Sequence, residues 1–343
     1  MSRVRRPYIF QAVLALGLLV AAIAVVRLVL NASPRPRADG DAATAAPGST
    51  GAPASNIDIV HLQVEHTLFH PMDNVVLQVE RLNGRMIGQP GELITLDDRK
   101  SFSVQIDQAV TRLSARDLSA LINSYLLRRA DSAVRHVDIS FDGQQVVIKG
   151  KVHKLVTLPF EGHGELSPTP DGELRMHMEE FRVAGLVSKD FLAFFGIHLD
   201  DVAQPQHKSS FRVEGQDFIT SLNELFPAPH VYGRLTRVHV DGQDLVQVIG
   251  VEAAPPAIKA IPKALPEPAN YIYFTGGRMK FGRMTMENVD LKLVDKETED
   301  AFDFSLDHYE QQIQAGYVKV LPSLGVVVYA ESWDTLAAAG KLK

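Results

Sequence analysis

From Ile57 onward, apolar and polar residues alternate with a period of two, the mark of strands that bury one face. In MENVDLKL, Val289, Leu291 and Leu293 fall on one side and Asn288, Asp290 and Lys292 on the other. FDFSLD at 302–307 sets Phe302, Phe304 and Leu306 against Asp303, Ser305 and Asp307, and SFSVQID puts Phe102, Val104 and Ile106 on a single face. Half-wet runs of this kind predict antiparallel sheets. Three similar hexamers, MDNVVL at 72–77, MEEFRV at 178–183 and MENVDL at 286–291, read as equivalent strands of a repeated unit, or as unrelated strands sharing common residues.

The helical period is rarer. SARDLSALINSYLLRR offers Ser114 as a cap with Asp117 three residues on, and Leu118, Leu121, Ile122, Tyr125 and Leu126 recur at i, i+3, i+4, i+7 and i+8. GQDFITSLNELF predicts a second helix, with Phe218, Leu222, Leu225 and Phe226 on one side and Pro227 ending it. The two match at an offset of 100 (Asp117 and Asp217, Ile122 and Leu222, Asn123 and Asn223). Each is followed by a hairpin signal, Asp142-Gly143-Gln144 and Asp241-Gly242-Gln243, where Gly tolerates the positive φ of a tight turn. The pattern predicts an α+β fold: an elongated, curved antiparallel sheet wrapping one or two long amphipathic helices, with a weak internal repeat. Residues 57–200 would form a first unit and 201–343 a second, partly degenerate one, the latter holding a connector at 251–270 with five prolines.

The N-terminus carries a different pattern. Arg3, Arg5 and Arg6 precede an uncharged run from Tyr8 to Val26, whose nineteen positions span roughly 28 Å as a helix, about one hydrocarbon core. A cleaved signal peptide usually has a shorter apolar region ending at a small-x-small site. Here Arg27 and LVL follow, which favours an uncleaved anchor within residues 1–30, its short basic end cytoplasmic and the body extracytoplasmic, as for a single-pass inner-membrane protein. Residues 31–56, rich in Ala, Pro, Gly, Ser and Thr, read as a flexible tether.

Composition removes several function classes. Residues 1–56 hold six Arg and two Asp, leaving 29 basic and 39 acidic residues in the body, a poor match for a nucleic-acid partner. No cysteine is present, so disulfides, thiolate metal sites and Cys nucleophiles are absent. No GxSxG, P-loop, GxGxxG or HExxH motif occurs, which weakens a lipid-hydrolase reading without removing it, and no catalytic residue or cofactor is implied. His61, His66 and His70 cluster in an extended stretch, where their rings need not converge. Glu161, His163 and Glu165 alternate with glycines, which would suit a divalent ion or a solvated strand face. SKDFLAFFGIHL, with Phe191, Phe194 and Phe195, reads either as a core helix or as a rim that contacts the membrane.

The run from Leu113 to about Leu186 resembles the LmeA-like phospholipid-binding family of the tubular lipid-binding (TULIP) superfamily. The resemblance is carried by LSARDLSALI, the hairpin VDISFDGQQVVIKGKV, the turn Leu158-Pro159-Phe160 and GELSPTPDGELRMHMEEFRVAGL. It implies a sheet rolled around a long helix with acyl chains held between, in an envelope protein that binds or moves phospholipid. Phe102, Val104, Leu118, Leu121, Ile122, Tyr125, Leu126, Phe218, Leu222 and Phe226 would then line the groove. The alternative is a non-enzymatic structural or assembly protein of the envelope, whose sheets pack dry and whose working surface is an exposed edge or the proline segment.

Overall fold

The computed structural model describes residues 57–127, 134–153, 156–187, 211–221, 228–250, 270–297 and 300–340. The predicted anchor, the tether, the proline connector and SKDFLAFFGIHL lie outside the described residues. Among those residues, no helix is long and apolar enough to cross a membrane.

Two sheets organise the chain. The larger has twelve strands, nine of them in the order β13 (Leu235–Asp241), β14 (Asp244–Ile249), β4 (Phe102–Ser114), β2 (Val75–Gly88), β1 (Ile59–Met72), β15 (Tyr271–Phe281), β16 (Met284–Asp295), β19 (Val326–Ala330) and β18 (Tyr317–Val320). Three short strands pair off that path: β3 (Ile94–Thr95), β12 (His230–Tyr232) and β17 (Phe302–Ser305). The smaller sheet runs β10 (Phe211–Glu214), β11 (Asp217–Thr220), β8 (Leu174–Val183), β7 (Thr157–Pro168), β6 (Gln145–His153) and β5 (Val134–Asp142), with β9 (Leu186–Val187) beside β8.

Neither sheet closes. The strand order of each is an open path, so each has two ends rather than the continuous wall of a barrel or tube. The helices among the described residues are short: α1 is Ala115–Leu121, continued by a π turn at Ile122–Leu126, and α2 (Tyr309–Ala315) and α3 (Trp333–Ala338) are seven and six residues long. The expected curved sheet wrapping long amphipathic helices, and with it the TULIP-like architecture, is therefore corrected to open sheets carrying short helices.

The described part of the second expected helix, 215–221, belongs to a hairpin of β10 and β11. Phe218 stands on β11, paired with Met176 on β8 and buried to 1% exposure. The physical reason lies in the turn: Glu214-Gly215-Gln216-Asp217 has the same build as Asp142-Gly143-Gln144-Gln145 and Asp241-Gly242-Gln243-Asp244. In all three the glycine has φ near +60° (60°, 64° and 66°), the requirement of a two-residue loop with Gly first. The offset of 100 thus aligned a helix with a strand. The Met-initiated hexamers are not equivalent either: MDNVVL spans the turn between β1 and β2, MEEFRV ends β8 in the smaller sheet, and MENVDL lies inside β16 in the larger.

Two hydrophobic cores follow from this layout. The first lies among α1, the smaller sheet and the β13–β14–β4 end of the larger one, with Leu118, Ile148, Met176, Phe218, Leu235 and Leu245 buried together. The second covers the rest of the larger sheet and α2, with Val64, Met86, Ile272, Leu291, Phe302 and Val328. Val289, Leu291 and Leu293 face that core as their alternation predicts, but Phe302, Asp303, Phe304 and Ser305 are all buried, so β17 is covered on both faces rather than half-wet.

Helix α1 begins as its sequence dictates, with Ser114 Oγ accepting from Asp117 N–H at 3.0 Å. Its apolar side is packed dry: Leu118, Leu121 and Ile122 are 6%, 4% and 1% exposed, each contributing roughly 1.5–3 kcal/mol at most. Its polar side is bound to the outer edge of β5. Ser119 Oγ accepts from Ile139 N–H at 2.8 Å, and the Asn123 amide both accepts from Val137 N–H at 3.0 Å and donates to the Val137 carbonyl.

Candidate functional site

The residues expected to line a lipid groove do not form one. Leu118, Leu121, Ile122 and Phe218 belong to the first core, and Phe102, 4% exposed, to the second, with Val104 half-buried between the two. Tyr125 and Leu126 sit in the π turn, while Leu222, Phe226, Phe191, Phe194 and Phe195 lie outside the described residues. An apolar cavity of about 200 Å³ does open where the cores meet, bounded by Leu82, Phe102, Val104, Val231 and Phe274. None of the α1 side chains reaches it. Small-molecule pockets run to about 300–1,000 Å³, so this space is a gap at the seam of two cores and falls short of a two-chain lipid site. With no long helix and no curled sheet among the described residues to enclose acyl chains, the phospholipid-carrier reading is overturned.

The histidine candidates separate as well. His66 is exposed with φ 42°, while His70 is buried, its Nε2 2.6 Å from Asp303 Oδ1 and its ring stacked on Trp333 at 4.3 Å. His163 Nε2 on β7 and Lys149 Nζ on β6 lie 3.0 and 3.4 Å from the same oxygen of Glu161, holding its carboxyl below the usual range despite partial desolvation. Among the described residues, no group of three or more His, Asp or Glu is arranged to hold a metal.

Around His70 lies a buried polar tie. Gln312 donates to the carbonyls of Asp303 (2.7 Å) and Glu331 (2.8 Å) and accepts from Ser305 N–H (2.8 Å). Asp295 accepts from Ser332 Oγ (2.9 Å) and from Glu297 N–H (2.8 Å), and burial pushes its carboxyl up to about 6. Ser305, His70 and Asp303 are only 0%, 4% and 7% exposed and are closed to any substrate, so the tie joins β1, β17, α2 and α3 and presents no chemistry to solvent.

What the larger sheet does present is an edge. Among the described residues, strand β18 pairs with β19 on one side only, and all four residues of Tyr317-Val318-Lys319-Val320 are exposed. Leu321 N–H donates to the Gly325 carbonyl at 2.7 Å, and inward bonding alternates along an antiparallel ladder. Tyr317 and Lys319 therefore bond inward to Tyr329 and Val327, and Val318 and Val320 turn their N–H and C=O groups outward. Their side chains continue the core face: Val318 is opposite Val328 (0% exposed) and Val320 is opposite Val326, yet they are 49% and 66% exposed themselves.

On the other face Tyr317 stacks on Tyr329 with centroids 4.5 Å apart, and Lys319 Nζ sits 5.4 and 4.7 Å from the two ring centroids. The hairpin tip adds Leu324, 82% exposed and at φ 67°, a backbone conformation that costs a branched side chain energy. This edge was not singled out from sequence; an alternating Tyr-Val-Lys-Val beside Pro322 was the available signal. Compared with known protein families, with curated proteins and with solved structures, the chain matches none. The resemblance to the LmeA-like family is accordingly withdrawn.

Proposed function

We propose that this chain is a non-enzymatic structural or assembly protein of the cell envelope, acting through protein–protein contacts made along β18. The observation that carries the reading is the edge itself: outward N–H and C=O groups at Val318 and Val320, flanked by exposed apolar side chains, in a sheet whose other end is covered. An extended segment added there gains main-chain hydrogen bonds and buries the exposed end of a hydrophobic face, the mode of β-augmentation. An uncovered apolar edge is otherwise an aggregation hazard, so its persistence favours a use. The envelope location rests on the apolar run Tyr8–Val26 and the tether after it, which would hold the body near a membrane surface.

Site-specific photo-crosslinking tests this. A photoreactive side chain at position 320, in native membranes, is expected to give a discrete higher-mass adduct that disappears on Val318→Pro, which removes an outward donor while leaving the inward ladder intact. The same adduct from the remote exposed position Asp171, or none from position 320, would overturn the reading.

A further inference from the structure

Resting on the edge reading above, we infer that the partner of β18 is an extended segment with the pattern apolar–acidic–apolar, and that a second copy of this chain is not the partner. The outward rungs are few. Pro322, the next outward position after Val320, has no N–H to donate, and Gly316 N–H is already given to the Ile313 carbonyl at 3.1 Å. A docked antiparallel strand must therefore place two residues opposite Val318 and Val320, with one residue between them facing Lys319. The flanking pair falls on the face that Val328 and Val326 line, where covering the exposed Val318 and Val320 requires apolar side chains. The central residue falls on the face of Tyr317 and Tyr329, beside the Lys319 ammonium.

Charge decides that central residue. Lys319 Nζ is poised over the stacked tyrosines and has no carboxylate within ion-pair distance among the described residues, so an Asp or Glu opposite it completes the pair. Self-pairing fails by the same rule. Using both rungs between two copies sets Val318 against the partner copy's Val320 and vice versa. That register brings the two copies of Lys319 into direct opposition as a non-hydrogen-bonded pair, the closest approach in an antiparallel ladder. Lysine on an open edge is a known bar to edge-to-edge association. Here it also selects the partner.

The test uses the full-length chain in detergent and blocked pentapeptides, Thr-Val-Glu-Val-Thr, the same peptide with central Lys, and the Glu peptide N-methylated at both valines. Binding is followed by peptide anisotropy, and docking by hydrogen-exchange protection of the Val318 and Val320 amides. The Glu peptide is expected to bind about tenfold more tightly than the Lys peptide, Lys319→Glu to invert that ranking, and N-methylation to abolish binding. Equal binding of the two peptides, or a ranking that Lys319→Glu leaves unchanged, sinks the acidic-partner inference while leaving the edge reading standing. If neither peptide protects those amides at millimolar concentration, the inference falls, and the edge reading depends on the crosslinking result alone.

Discussion

The two ends of the larger sheet are built from similar short alternating strands and treated in opposite ways. At the β13 end, Gln144 from the smaller sheet's hairpin accepts from Val240 N–H at 3.0 Å and donates to the Val240 carbonyl at 2.8 Å, while Leu235 N–H reaches the Gly172 carbonyl at 2.9 Å. The smaller sheet treats its own β5 edge likewise, through Ser119 and Asn123 of α1. At the β18 end no comparable side chain among the described residues meets Val318 or Val320. Amides that both donate and accept cover the β13 and β5 edges, and the lack of such cover at β18 among the described residues is the informative contrast.

That contrast can be broken at the covered edges. Asn123→Ala strips both partners from Val137, which is 2% exposed, and is expected to destabilise the protein by about 3 kcal/mol, read as a lowered urea midpoint at constant m. The core behind the open edge answers to pH instead. Asp295, last residue of β16 and paired with Ala330, has a carboxyl raised by burial to about 6, above its value in the unfolded chain. The folded state therefore binds the extra proton, and this group's contribution is full below about pH 4 and lost as pH rises through 6. Asp295→Asn should remove that decline, a difference of about 2–3 kcal/mol across the interval in paired denaturation series. The smallest effect is expected of Gln144→Ala, about 1 kcal/mol, because water can replace an exposed amide. Its sharper readout is faster hydrogen exchange at Val240, bringing the β13 end closer to the state of Val318 and Val320.

How much of this the sequence displayed depends on how local each signal is. Ser114 capping α1, and the hairpins at Gly143 and Gly242, are written in three or four adjacent residues and appear where expected. The hairpin at Gly215 carried the same turn residues, but Phe218, Leu222 and Phe226 also fit a helical face, and a four-residue strand is too short for its own period to compete. The groove failed for a longer-range reason. Leu118 and Ile122 are as apolar as a lipid site demands, yet whether they meet an acyl chain or other side chains depends on how closely the two sheets approach, which no window of sequence encodes. Nor could β18 be seen: an edge is defined by the strand that is missing beside it.

Pro322 has one more consequence. With only Val318 and Val320 offering main-chain groups, up to four hydrogen bonds at a net ~1 kcal/mol each come to about 4 kcal/mol, the scale of a millimolar dissociation constant. A grip that brief lets go quickly, so lasting attachment would have to come from many copies acting side by side, each free to release and rebind while the array as a whole holds.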